Sequence, residues 1–388
     1  MKLLLSIIGF FFLAHIALAY VVPESILAAN FPYKNLLHGS YEIGPITAFA
    51  NFDGYQYLSI AHMGYGEFQQ SYFPLFPLLI HSAAPLFNNQ YLHAGLFVSW
   101  LCLLFGIIYF YKLTQVILVE KKKSLWAVVL LLSFPTAFFY LMVYPESFYL
   151  LLSSAALYYL YTKRYLYSSV FALFASLTKV QGVFLILPFV LAMVQTWNYR
   201  ISFQSVLTFL RKHIVLLFVV LSPLYGLLLY MGYLFIQYGD PLYFYHAQAE
   251  FGANRTVNGI VLLPQVLYRY VKIFLTAQFN FQYLIAVLEF VLFVSLFTVI
   301  VYQLVKIFQS KKKNLRLLGI HGYSLAVLIL PTLTGTLTSV PRYALLCFGF
   351  FLFLANLRSV WIKLGVIGVF LIIQVVLFFY FLQGYFVS

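Results

Sequence analysis

The sequence predicts an all-α, polytopic membrane protein, and three observations carry that prediction. Hydrophobic residues make up 64% of the 388 and charged residues only 8%. Mean hydropathy is +0.95, which is high for a chain that must stay in water. Apolar runs of the roughly 20 residues needed to span a bilayer recur along the chain. The chain reads as a single transmembrane domain, 1–388, with a long first outer loop and no separate soluble domain. The loop covers about 23–90, and about 11 transmembrane helices account for the apolar runs.

Taken in order, the spans fall at 3–22, 91–111, 124–143, 147–162, 165–178, 180–196, 213–237, 281–305, 316–332, 343–357 and 361–383. The first follows a basic start and stays apolar to Val22. Its Ala17-Leu18-Ala19 end imitates a signal-peptide cleavage site, but its length favours a retained helix. Lys121, Lys122 and Lys123 divide the second span from the third, and Pro145 suits the first turn of the fourth. Lys163 and Arg164 separate the fourth from the fifth. The fourth and fifth are short, and the fifth and sixth, which meet at Lys179, could be one kinked helix. Lys311, Lys312 and Lys313 follow the eighth, and Arg358 and Lys363 flank the gap before the last. Cys102 and Cys347 both lie in apolar runs, as small core residues rather than a disulfide framework.

The formal charge of +14 raises the possibility of nucleic acid, but the basic residues are scattered in short loops. Between spans, that scatter reads as topology. With the N-terminus inside, the cytoplasmic ends collect 17 of the 23 Lys and Arg residues, as the positive-inside rule requires. Lys34, Lys179, Arg255, Arg269, Lys272 and Arg342 fall outside. So do seven of the nine acids: Glu24, Glu42, Asp53, Glu67, Glu146, Asp240 and Glu250. Glu120 is cytoplasmic, and Glu289 lies within a span. Ionisable groups that break the pattern therefore gather on the outer face. Such groups beside apolar spans are costly and tend to mark function, although outer loops also need solvation.

The stretch "NFDGYQYLSIAHMGYGEF" places Asp53, His62 and Glu67 within eighteen residues. Asp53, Tyr57 and Ala61 recur at helical spacing, which predicts a short interfacial helix with Asp53 near its start. A carboxylate there could be a helix cap or a catalytic group. Pro74 and Pro77 in "SYFPLFPLL" argue against a regular helix through that point. Glu146 sits at the outer mouth of a helix pair, where it could complement the positive helix end. Lys179 could bind a phosphate or pair with an acid. The outer loop "GDPLYFYHAQAEFGANR" carries Asp240, His246 and Arg255, and "TSVPRYALLCF" brings Arg342 to a span entrance. Arginine suits phosphate because its planar fork donates two parallel hydrogen bonds. The eight histidines show no zinc-type spacing, no cofactor box is present, and a divalent-metal requirement is left open.

"FDGYQYLSIAHMGY", "YFPLFPLL", "FPTAFFYLMVYPESFYLLLS", "SLTKVQGVFLILP", "GDPLYFYHAQ" and "SVPRYALLCFGFFL" resemble, in that order, segments of the PIG-V family. That family comprises the second mannosyltransferase of glycosylphosphatidylinositol synthesis and its shorter bacterial relatives. The resemblance covers about residues 48–355. It implies the GT-C glycosyltransferase fold, with interfacial helices and a catalytic acid in the first outer loop. The position matching that acid is Asp53, preceded here by Phe52 where the family usually has Trp.

The resemblance further implies transfer of a sugar from a polyprenyl-phosphate-linked donor to a glycan or glycolipid acceptor at the non-cytoplasmic face. Mannose is implied by the eukaryotic relatives alone. A carboxylate can deprotonate the attacking hydroxyl, and attack opposite the leaving phosphate inverts the anomeric centre. Asp53 is assigned as base, with Arg342 and Lys179 at the donor phosphate. Tyr57, His62, Glu67, Glu146, Asp240, His246 and Arg255 are assigned to positioning the sugar or acceptor. The compact chain suits a bacterial cytoplasmic membrane with its site outside, or the endoplasmic reticulum membrane in a eukaryote. The expected partners are the donor, the acceptor and membrane lipids, with no nucleic acid and the question of an accessory subunit open. The competing class is a transporter or a flippase for lipid-linked sugars, which would favour ionisable groups near the bilayer centre.

Overall fold

The computed structural model describes residues 2–22, 33–41, 44–195, 214–248, 259–311 and 313–387. Arg255 lies outside the described residues, as do Arg200, Arg211, Lys212 and Lys312 of the topology count and Glu24, Glu42 and Glu250 among the acids. The described chain is helical throughout, with no strand among the described residues.

Helix α1 (Lys2–Val21) buries Leu4, Ile8, Phe11, His15 and Ala19, one stripe at helical spacing. The loop before the second long apolar run holds a two-turn helix at Lys34–Ser40 and then α2 (Asp53–Met63) and α3 (Leu75–Ala83). Then come α4 (Tyr91–Leu118), α5 (Lys121–Ser133), α6 (Glu146–Tyr161), α7 (Tyr165–Thr178) and α8 (Ile186–Gln195). Beyond these are α9 (Ile214–Tyr238), α10 (Leu263–Thr276), α11 (Phe281–Gln309), α12 (Leu315–Ile329), α13 (Phe348–Asn356) and α14 (Val360–Leu382). Among the described residues, six helices are long and apolar enough to cross a membrane: α1, α4, α9, α11, α12 with its 3-10 extension to Thr334, and α14. They mark a multi-pass membrane protein, and many large apolar side chains on their outer surfaces are exposed, as a lipid-facing surface requires.

The shorter helices form the centre. α6 packs along α4 and α7, and its residues are buried almost all round, the pattern of a core helix. α7 also packs on α9, and α8 on α12. Small residues allow the close approaches. A Cβ at Gly226 of α9 would lie 2.2 Å from the Leu173 carbonyl oxygen of α7.

Three sequence expectations change. The run 124–143 is not one helix: α5 ends at Ser133, because Phe134 precedes Pro135 and takes an extended ψ of 143°. Residues 134–145 then form a buried, irregular segment with a 3-10 turn at Ala137–Tyr140. Likewise 343–357 divides into a 3-10 turn, Ala344–Leu346, and α13. The two prolines of "SYFPLFPLL" start a helix rather than prevent one. Pro74 stands at the N-cap of α3 and Pro77 in its first turn, where a missing N–H leaves no intrahelical bond unmade.

Candidate active site

α6 and α7 are joined by the short turn through Lys163 and Arg164. Two helices so joined lie antiparallel, so their far ends meet about 23 Å away, by the rise of α6. Those ends carry Glu146, the first residue of α6, and Lys179, the C-cap residue of α7. Lys179 Nζ donates to Glu146 Oε1 over 2.7 Å. The Glu146 side chain is only 1% exposed. A buried ionised carboxylate is strongly stabilised by a paired cation.

Two cations supply that charge. Arg342, on the single turn Val340–Tyr343, places Nε 3.3 Å from Glu146 Oε1 and donates from Nη1 to Asp53 Oδ2 over 2.7 Å. Tyr72 completes the surroundings of Asp53, its hydroxyl donating to Oδ1 over 3.1 Å. Asp53 opens α2, but its oxygens accept from Arg342 and Tyr72 rather than capping the helix. Glu146 Oε2 is buried without a partner. The result is a four-membered network, Asp53–Arg342–Glu146–Lys179, drawn from four separate segments.

The backbone segments under this network are tied to one another. Val143 N donates to the Phe49 carbonyl over 3.0 Å, and the Tyr144 hydroxyl to the Asn51 carbonyl over 2.9 Å. Asn51 Nδ2 reaches the Phe381 carbonyl over 2.9 Å, and Thr136 Oγ1 the Pro341 carbonyl over 2.6 Å. The residues leading into both ion-pair turns carry positive φ: Phe52 at 56° and Ser339 at 68°. Non-glycine residues there are strained, and such strain tends to persist where the surrounding structure fixes a functional side chain. The aromatic at position 52 stacks at its edge on Phe386, 5.8 Å between centroids, which helps hold the turn.

Electrostatics follow from this packing. Burial alone would pull the Arg342 guanidinium toward neutrality, but the charges of Asp53 and Glu146 reverse that and hold it well above the usual arginine value. Its guanidinium also lies 5.5 Å from the Tyr144 ring centroid and 5.7 Å from that of Phe139, favourable cation–π positions. Burial, reinforced by the Asp53 charge, pushes the Tyr72 phenol well above its ordinary value, so it stays a donor at neutral pH.

The network borders a cavity of about 1350 Å³. Asp53, Tyr57, Glu146, Lys179 and Arg342 line it. Tyr57 is buried, its ring edge-on to Tyr72 at 5.1 Å. Of the other positioning candidates, Arg255 lies outside the described residues, and His62, Glu67, Asp240 and His246 are not brought here. His62 is exposed on the far side of α2 and lines a separate cavity of about 730 Å³ with Tyr55 and Tyr91. Glu67 is exposed in the turn after α2 and does not line the large cavity. Asp240 and His246 pair with each other, Nδ1 to Oδ2 over 2.6 Å, in an exposed loop outside the cavity.

Sequence reasoning missed Tyr72, Gln181 and Tyr270 as cavity residues, and gave Arg269 and Glu289 no role in the site. Tyr72 stands two residues before Pro74, the break that starts α3. The Tyr270 hydroxyl donates to Glu289 Oε2 over 2.5 Å and accepts from Leu337 N over 3.0 Å. Glu289 lies two turns inside α11 and explains its own burial by that phenol. Among the described residues no cluster of His, Cys, Asp and Glu could hold a metal ion. Cys102 and Cys347 are free and buried.

No protein-family model, no curated protein and no solved structure matches the chain.

Proposed function

We propose that the protein is a membrane glycosyltransferase that moves a sugar, mannose by resemblance to the PIG-V family, from a polyprenyl-phosphate donor to a glycan or glycolipid acceptor. The observation that carries this reading is the cavity that joins the Asp53–Arg342–Glu146–Lys179 network to a wall of α10 and α11 where Ile273, Phe281, Ile285 and Ala286 form an apolar strip beside Arg269. A lipid-phosphate donor needs both surroundings at once: a polar chamber for the sugar and phosphate, and an apolar groove for the prenyl chain. In this reading the short helices join the six long ones in a GT-C bundle of about eleven crossings. The site faces away from the cytoplasm, opposite the basic turns.

Asp53 takes the acceptor hydroxyl proton as the oxygen attacks the sugar C1 from the side opposite the phosphate. The bond from C1 to the phosphate oxygen breaks, and polyprenyl phosphate leaves with the electron pair. Tyr72 and Arg342 hold the Asp53 carboxylate in a fixed orientation while Lys179 and Arg342 set a positive field for the departing charge. One carboxylate suffices for inversion, and no covalent intermediate forms.

The test is transfer by purified protein in detergent, with radiolabelled polyprenyl-phosphate mannose and a membrane lipid extract as acceptor. Label should move to acceptor as polyprenyl phosphate is released. Movement of the intact donor across sealed vesicles without transfer would instead establish a flippase.

A further inference from the structure

Among the described residues, three cations line the large cavity: Lys179, Arg269 and Arg342. Two of them are already paired with carboxylates. The Arg342 and Lys179 side chains are 11% and 10% exposed and bound to Asp53 and Glu146. A phosphate arriving there would compete for cations whose charge is already offset by Asp53 and Glu146. Arg269 differs. It is half-buried, and among the described residues no carboxylate pairs with it. Arg269 Nη1 donates to the Gly335 carbonyl over 3.0 Å, a contact that orients the guanidinium without neutralising it.

We infer that Arg269, rather than Arg342 or Lys179, is the direct contact for the phosphate of the lipid-linked donor. The inference rests on the proposed lipid-phosphate chemistry. Three features of the surroundings support it. First, α10 is fixed where Arg269 leaves it, because the neighbouring Tyr270 hydroxyl bridges Leu337 N and Glu289. A cation on a held helix is a better phosphate site than one on a free loop. Second, α10 is amphipathic: Val266 and Tyr270 are buried, while Tyr268, Lys272 and Leu275 are exposed. That is the arrangement of a helix lying at a membrane surface, where a lipid phosphate resides. Third, beside Arg269 the cavity wall carries Ile273 of α10 and Phe281, Ile285 and Ala286 of α11, an apolar strip interrupted by Gln282 and by Glu289, whose carboxylate is bound to the Tyr270 hydroxyl. A prenyl chain can follow that wall from a phosphate held at Arg269. The guanidinium fork then binds the phosphate through two parallel charge-assisted bonds, and these strengthen as the leaving group gains charge.

The experiment measures binding of a short-chain polyprenyl phosphate, the matching polyprenol, and inorganic phosphate to purified protein in detergent. Wild type is compared with Arg269→Gln and Arg269→Lys, and thermal unfolding is recorded on each sample. We expect wild type to prefer the polyprenyl phosphate to the polyprenol. Arg269→Gln should lose on the order of 10–100-fold of that affinity, the scale of a charged hydrogen-bond pair. Its affinity for the polyprenol and its unfolding temperature should stay close to wild type. Arg269→Lys should recover part of the loss, because the charge returns without the fork. If wild type does not distinguish phosphate from alcohol, the lipid-phosphate reading itself fails. If wild type does distinguish them and well-folded Arg269→Gln binds equally tightly, Arg269 is not the phosphate contact. A loss of polyprenol binding equal to the loss for the phosphate would show a packing role and also overturn the inference. Inorganic phosphate binding as tightly as the lipid would reassign the site to a free anion.

Discussion

Two carboxylate–cation pairs on this molecule look alike in a list of distances and differ in almost everything else. Asp240 and His246 lie six residues apart, in one loop, with side chains 33% and 52% exposed. Asp53 and Arg342 lie 289 residues apart, and Arg342 is 11% exposed and shared with Glu146. The first pair is made by local chain geometry: the Leu242 N–H also donates to Asp240, closing a turn. Water can replace either partner. The second pair exists only once four segments have packed together; Asp53 is itself 31% exposed, but Arg342 is largely buried and Glu146 fully so, and their charges depend on one another. Proximity in sequence therefore marks the weaker pair, and burial marks the one that borders the cavity.

Removing Arg342 should sharpen this contrast most. Arg342→Ala leaves Asp53 without its cation and Glu146 with Lys179 alone. Breaking a buried pair in this way costs about 3–5 kcal/mol. We expect a marked fall in thermal unfolding temperature in detergent and loss of transfer. A second substitution, Glu146→Gln, should add less than its separate effect, since the two share one network. Additive losses would show that the network does not act as a unit.

Tyr72→Phe removes one donor to Asp53 and leaves the packing of the ring in place. A hydrogen bond to a charged group is worth about 1.5–3 kcal/mol, and the partial exposure of Asp53 puts the effect near the lower end. Transfer should fall roughly tenfold, with donor binding retained, in a steady-state comparison with wild type. Unchanged turnover would remove Tyr72 from the site.

Asp240→Asn should have the smallest effect. Its hydrogen bond to His246 draws the Asp240 carboxyl below the usual carboxylate range, with the Leu242 N–H adding to the pull. A depressed folded value contributes stability above the unfolded value and loses it as pH falls through the folded one. The variant should thus be slightly less stable than wild type near neutrality, within about 0.5 kcal/mol. The difference should begin to shrink below about pH 4, the unfolded value, and vanish only once the pH lies below the depressed folded one. Paired unfolding curves at neutral and acid pH check this. A loss of transfer in the same variant would bring the exposed loop into the site after all.

The residues themselves explain how much was legible beforehand. The long spans could be read because α4, α9, α11 and α14 are apolar for more than twenty residues, and length alone identifies them. The segment 134–145 could not, because it is apolar and fully buried while irregular. Composition does not separate buried helix from buried loop, and only Pro135 signalled the break. Asp53, Glu146, Lys179 and Arg342 each stood out as charges on the outer side of a membrane chain. Their mutual pairing did not, since it depends on contacts across 33 and 289 residues. Glu289 appeared as an isolated acid within a span, and only the fold shows the Tyr270 hydroxyl that accommodates it.

The measurement closest to the central claim is single-turnover sugar transfer by detergent-purified Asp53→Asn, with donor binding recorded on the same sample. Asparagine keeps the shape of the side chain and can still accept a bond from Arg342 or Tyr72, but it cannot take up the acceptor proton. The account predicts donor binding close to wild type and a transfer rate lower by about 10²–10⁴, the range of general base catalysis. Near-normal transfer by a well-folded Asp53→Asn protein would contradict it and leave Glu146 as the carboxylate to examine in its place.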